Sequence, residues 1–124
     1  MPASILVSVV DDDESIRDSA KSLLRSAGYQ VAVFESSEQF LASDAISETG
    51  CLILDVRMPG MDGLELQRQL GISQTRVPII FVTAHGNKTN RKLAIDGGAA
   101  DFLQKPVAAG DFLAAIETVL KGQR

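Results

Sequence analysis

Cys51-Leu52-Ile53-Leu54-Asp55 is a run of apolar residues with no polar interruption, closed by a carboxylate. Ile5-Leu6-Val7-Ser8-Val9-Val10 runs in the same way into Asp11-Asp12-Asp13, Pro78-Ile79-Ile80-Phe81-Val82 into Thr83, and Ala100-Asp101-Phe102-Leu103-Gln104 into Lys105. Short, nearly unbroken apolar segments of this kind read as strands buried on both faces, the mark of a parallel sheet. In open α/β sheets the ligand crevice lies outside the carboxyl ends of the strands. One rim of the sheet should therefore gather carboxylates, a hydroxyl and an ammonium.

Between the strands the apolar spacing becomes helical. Ile16, Ala20, Leu23, Leu24 and Ala27 form one stripe, with Gly28 as the stop. Val31 to Phe34 reads as another strand, and Ser36-Ser37-Glu38-Gln39 resembles a capping box opening a helix with Phe40 and Leu41. Met58-Pro59-Gly60-Met61 is a turn, and Asp62-Gly63-Leu64-Glu65 opens the next helix. Asn87 can cap a fourth helix ending near Gly97-Gly98, while Phe112, Ile116, Val119 and Leu120 mark a fifth. Strictly alternating strands and helices predict a doubly wound α/β domain with right-handed crossovers and helices on both faces. The flavodoxin-like order 2-1-3-4-5 puts its switch point between the strands that end at Asp11-Asp12 and Asp55.

The bulk composition agrees. A chain of 124 residues, 45% apolar and 23% charged, is one ordinary globular domain, residues 1–124. A net charge of −4 argues against direct contact with nucleic acid and suits a divalent cation. One cysteine, Cys51, gives no disulfide framework, so a reducing, cytoplasmic setting is expected. No apolar stretch is long enough to span a bilayer, so no membrane partner is expected.

Asp11, Asp12 and Asp55 are the candidate metal ligands. Magnesium takes one or two carboxylates, keeps several waters and accepts phosphate oxygens; manganese can substitute. Two such carboxylates about 5 Å apart repel by roughly 3 kcal/mol at an effective dielectric near 20. That cost calls for a cation or a proton. Asp13 and Glu14 read more simply, as acids at a helix N-terminus. Asp55 can act as a nucleophile toward phosphorus, although an aspartate before Met58-Pro59-Gly60 is also an ordinary turn residue. Thr83 could donate to a phosphoryl oxygen or merely satisfy the end of its strand. Lys105 could place a point charge on the same group, and Pro106 restricts the backbone that aims it.

Taken together, Val10-Asp11-Asp12, Asp55-Val56-Arg57-Met58-Pro59-Gly60-Met61-Asp62-Gly63, Val82-Thr83-Ala84, Gly98-Ala99-Ala100-Asp101-Phe102 and Lys105-Pro106 resemble a response-regulator receiver domain over about residues 5 to 120. Each piece is short, but their order and spacing are specific. The chain looks most like N-terminal receivers of transcriptional regulators with a LuxR/NarL-type output domain. The resemblance implies a switch, not a metabolic enzyme. Asp55 would accept phosphate from a sensor histidine kinase. Asp12, Asp55 and the backbone carbonyl of Arg57 would hold magnesium, and Asp11 would support the ion through water. Thr83 and Lys105 would bind phosphoryl oxygens, with Lys105-Pro106 a cis peptide. Phe102 matches the aromatic switch position and would turn inward as Thr83 moves, although its setting is equally that of a core aromatic. Arg57 and His85, two residues beyond Asp55 and Thr83, would tune the lifetime of the acyl phosphate. DNA would be reached only through a further output domain, and a phosphorylation-dependent homodimer is implied.

Two departures fall near the family's output surface. Where many relatives carry an Ala- and Val-rich face, this chain has Asn87-Lys88-Thr89-Asn90-Arg91-Lys92, and Val107 stands where Phe is frequent. A helix so poor in apolar residues should be weakly held. Rival readings lack parts. An aspartyl phosphatase resembling the haloacid dehalogenases would need Gly-Thr after Asp11-Asp12-Asp13, and a flavin carrier would need a Ser/Thr- and Gly-rich first loop. A receiver-like module working without phosphate would have lost an acid or the lysine, and none is lost.

Overall fold

The computed structural model describes residues 4–122. Five parallel strands, β1 (Leu6–Val10), β2 (Gln30–Phe34), β3 (Thr49–Leu54), β4 (Ile79–Thr83) and β5 (Asp101–Gln104), lie in the order β2-β1-β3-β4-β5. The helices are α1 (Glu14–Ser26), α2 (Ser37–Leu41), α3 (Gly63–Ile72), α4 (Lys88–Asp96) and α5 (Ala109–Lys121), with a 3₁₀ turn at Asp44–Ser47. The doubly wound order expected from the alternation is the observed one.

Period-2 alternation along the central strands divides the core in two. Val7, Val9, Cys51, Ile53 and Ile80 pack against Leu24 of α1 and Phe112 and Ile116 of α5. Val10, Leu52, Leu54, Ile79 and Phe81 meet Phe40, Leu66, Leu70 and Ala94 from α2, α3 and α4. Each buried side chain of this size contributes about 1.5–3 kcal/mol relative to exposure. Ser8, the polar interruption of the first apolar run, is fully buried and bonds the Thr49 hydroxyl at 2.7 Å. Thr49 in turn donates to the Ala45 carbonyl at 2.6 Å.

The anticipated caps form. Asp13 accepts from the Ser15 and Ile16 amides, Ser36 from Gln39, Asp62 from Glu65 and Asn87 from Asn90. Gly28 ends α1 at φ +94. Two expectations need correction. Burial on both faces holds for the central strands but not for β5, an edge strand in which Phe102 alone is buried. Ala27 is exposed, because α1 stops at Ser26 and Ala27 serves as its C-cap. The fourth helix is as thinly anchored as its sequence suggests: Ala94 alone is buried, and Leu93 and Ile95 are 53% and 44% exposed. Polar ties compensate, with Gln67 donating to the Ala94 carbonyl at 2.8 Å and Arg91 to that of Phe102 at 3.2 Å.

Candidate functional site

Sheet pairing carries the acids together. The Asp11 amide donates to the Phe34 carbonyl and the Asp55 amide to that of Val10, both at 3.1 Å, so each aspartate continues its ladder one step past the strand. Asp11 and Asp55 are buried, Asp12 is exposed, and one carboxylate oxygen from each lies within 4.8 Å of the other two. Asp11 is held further by the Asp13 amide on Oδ1 and by Arg17, which donates to its backbone carbonyl at 2.8 Å. Across the sheet, the Lys105 amide donates to the Thr83 carbonyl at 2.9 Å, and the Lys105–Pro106 peptide is cis. The Lys105 ammonium lies 2.8 Å from Asp11 Oδ2 and 3.4 Å from Asp55 Oδ2.

That ammonium changes the electrostatic account. Unrelieved repulsion among the acids was expected to demand a cation or a proton. Instead Lys105 supplies a fixed positive charge to the two buried members. Burial lowers the pKa of Lys105 by itself, but the hydrogen bond and charge of Asp11, with those of Asp55, outweigh it and hold the ammonium above its usual range. For Asp11, burial pushes the carboxyl up, the Lys105 and Asp13 hydrogen bonds pull it down, and the Asp55 charge adds a rise. The net direction is upward. A carboxyl raised in the folded state favours folding while protonated and loses that contribution as pH rises through its folded pKa. At neutral pH ionised Asp11 therefore opposes folding. Asp11→Asn is expected to stabilise the metal-free protein by about 1 kcal/mol, the repulsion left after partial neutralisation by Lys105. Thermal melts at neutral pH with chelator check this, and an unchanged or lower Tm contradicts it. Because Asp12 is exposed and Asp11 buried, relieving the crowding at Asp11 has the larger effect.

A cleft of about 610 Å³ opens over these groups, lined by Asp11, Asp12, Asp55, Arg57, His85 and Lys105 among others. Thr83 and Phe102 do not line it. The Thr83 hydroxyl is fully buried and accepts from the His85 amide at 3.0 Å. The Phe102 ring is already inward, 5% exposed, 5.9 Å from the Phe81 ring and under the Arg91 guanidinium. So Asp11, Asp12, Asp55, Arg57, His85 and Lys105 converge on the cleft, while Thr83 and Phe102 are buried outside its lining.

Two structural contributors were not singled out as site residues. Gly63 packs so closely on the strand end that a Cβ there would lie 2.0 Å from the Asp55 carbonyl oxygen. Its amide also closes the β3–α3 loop on the Val56 carbonyl at 2.8 Å. Glu38, read as part of a capping box, accepts instead from the Met61 amide at 3.0 Å. The Gly after Asp62 was a visible signal for Gly63, but nothing local announces the reach of Glu38.

The donor set suits a hard cation. It consists of carboxylate oxygens, and Asp55 Oδ1 is buried without any hydrogen-bond partner. A buried unpaired carboxylate oxygen is costly, and a cation is one natural partner for it.

Comparison with known proteins gives one consistent result. A protein-family model described as the response regulator receiver domain matches residues 7–117. Response regulator protein TmoT of Ectopseudomonas mendocina is 44% identical over 116 residues, 94% of this chain and 53% of the relative. Transcriptional regulatory protein FixJ of Bradyrhizobium diazoefficiens is 40% identical over 113 residues, 91% of this chain and 55% of FixJ. Thus the chain spans about half the length of these curated relatives. Among solved structures, the response regulator StyR superposes with a TM-score of 0.88 at 45% identity, covering 96% of this chain and 60% of that one. The crystal structure of FixJ-N superposes with a TM-score of 0.87 at 36% identity, covering 97% and 96%. Among the described residues no helix is long and apolar enough to cross a membrane.

Proposed function

Because the chain belongs to the response regulator receiver domains, we propose that it is a phosphorylation-controlled switch with Asp55 as the phosphoacceptor. One observation carries this reading: an unpaired, buried Asp55 oxygen lies at a rim shared with two further acids and the ammonium of Lys105. Asp12, Asp55 and the Arg57 carbonyl are the proposed cation ligands, and Asp11 supports the ion through water. Bound magnesium would offset charge on the phosphoryl oxygens. Asp55 attacks the phosphorus of a kinase phosphohistidine; the N–P bond breaks and an acyl phosphate forms. The loose transition state carries charge on its equatorial oxygens, so Lys105 and Thr83 contribute by position and electrostatics. Lys105 exchanges part of its contact with Asp11 for a phosphoryl oxygen.

Thr83 accepts from the His85 amide and keeps its O–H free to donate, so turning the hydroxyl toward that oxygen draws the start of the β4–α4 loop with it. The thin anchoring of α4 and the packing of Phe102 under Arg91 let that movement reach α4, β5 and α5. Arg57 and His85 border the cleft and govern the approach of hydrolytic water. The partners are a sensor histidine kinase, a second copy of the chain in the phosphorylated state, and a transcriptional output domain through which DNA is reached.

Incubation with magnesium and acetyl phosphate, followed by peptide mass spectrometry, tests the assignment. Phosphoryl label is expected on Asp55 and lost in Asp55→Asn. Label on Asp11 would point instead to phosphatase-like chemistry.

A further inference from the structure

We propose that Glu38 is a positioning residue for the cation site, holding from α2 the loop that carries the Arg57 carbonyl. The inference rests on the cation site proposed above and adds a residue outside it. Glu38 does not line the cleft, so it is no ligand itself and acts through the loop.

The β3–α3 loop runs from Asp55 to Asp62, and its two ends are fixed locally. Gly63 closes its base on Val56, while Asp62 caps α3 through the Glu65 amide at 2.9 Å. Between these ends Arg57, Pro59 and Gly60 are exposed. Among the described residues, the bond from the Met61 amide to Glu38 Oε2 is the one hydrogen bond tying residues 57–61 to another element. It joins positions 23 residues apart in the chain.

Gly60 makes the contact feasible. Its φ of +76 is a conformation that favours glycine, and a Cβ there would stand 2.6 Å from Glu38 Oε2. Pro59 followed by glycine at positive φ is the pair that a type II turn requires. The turn thus presents the Met61 amide to the carboxylate while leaving room for it. The bond also holds the Glu38 carboxyl below its usual range, so the acceptor is charged. Charge-assisted acceptors of this kind order a loop more firmly than neutral ones. A metal site that uses a backbone carbonyl needs that carbonyl fixed before the ion arrives, and partners behind the ligands carry a measurable share of affinity.

The test is magnesium titration by calorimetry on the wild type, Glu38→Ala, Glu38→Gln and Asp12→Ala. Amide exchange at Met61 is followed in the metal-free proteins. Glu38→Ala should weaken magnesium binding about tenfold, the lower end for loss of a partner behind a metal ligand. It should also speed exchange at Met61. Glu38→Gln keeps a neutral acceptor oxygen and should recover part of both. Magnesium affinity in Glu38→Ala within about twofold of wild type, beside a weak Asp12→Ala, would overturn the role of Glu38 and leave the site standing. Equal loss in the Ala and Gln variants would overturn it too, by assigning the effect to charge at a distance. Unimpaired binding by Asp12→Ala would remove the site itself.

Discussion

Gly63→Ala should lower stability by about 3 kcal/mol, or roughly 10 °C in Tm for a domain of this size. The new Cβ would lie 2.0 Å from the Asp55 carbonyl oxygen, 3.0 Å from its carbonyl carbon and 3.1 Å from Leu54 Cγ. Two of these neighbours are backbone atoms of a central strand end, so no side-chain rotation relieves the clash. Either the strand end or the start of α3 must move. If α3 moves, the bond from the Gly63 amide to Val56 lengthens and the loop opens at its base. The folded fraction should then bind magnesium more weakly than wild type. Thermal melts with and without magnesium check both parts. A Tm within about 2 °C of wild type would mean that the loop base is less tightly packed than described.

Lys105→Met should produce the second large effect. It removes the charge shared by two buried acids while keeping most of the side-chain volume. Leaving buried charge without its partner typically costs about 3–5 kcal/mol. Because Lys105 retains 18% of its side-chain exposure, the lower end is expected. Magnesium should return much of that loss, since saturation at a hundred times Kd stabilises by about 2.7 kcal/mol. The pH dependence has a definite sign. The pKa of Lys105 is raised in the folded state, so its stabilisation is complete below the ordinary 10.5 and disappears as pH climbs through the folded value. The Met variant should lack that alkaline loss. It should also gain stability on acidification, as Asp11, raised already in the wild type, protonates. Parallel pH–stability profiles for the two proteins would contradict this.

Much of the fold was legible because parallel strands and amphipathic helices write their periods directly into the chain. Cys51 to Asp55 could be read from apolar continuity, and α1 from the spacing of Ile16, Ala20, Leu23 and Leu24. The cap residues Asp13, Ser36, Asp62 and Asn87 were legible because capping is decided within three or four residues. The order 2-1-3-4-5 already places β5 at an edge, but its partial burial was not read, since Ala100 to Gln104 looks locally like a central strand. Much of the candidate site was equally plain, because strand ends carry their residues to one rim. The partnership of Lys105 with Asp11 was missed, as it joins residues 94 positions apart that only the sheet brings together. The inward ring of Phe102 depends on Phe81 and Arg91, which lie on other elements. Glu38 sits in a sequence that explains itself as a helix start, so its reach to Met61 left no separate trace.

Soaking crystals with manganese and collecting anomalous diffraction at its absorption edge tests the site most directly. The account predicts one strong peak bounded by the carboxylates of Asp11, Asp12 and Asp55, absent from Asp12→Ala at the same concentration. A peak elsewhere, or none at this rim under saturating manganese, would contradict it.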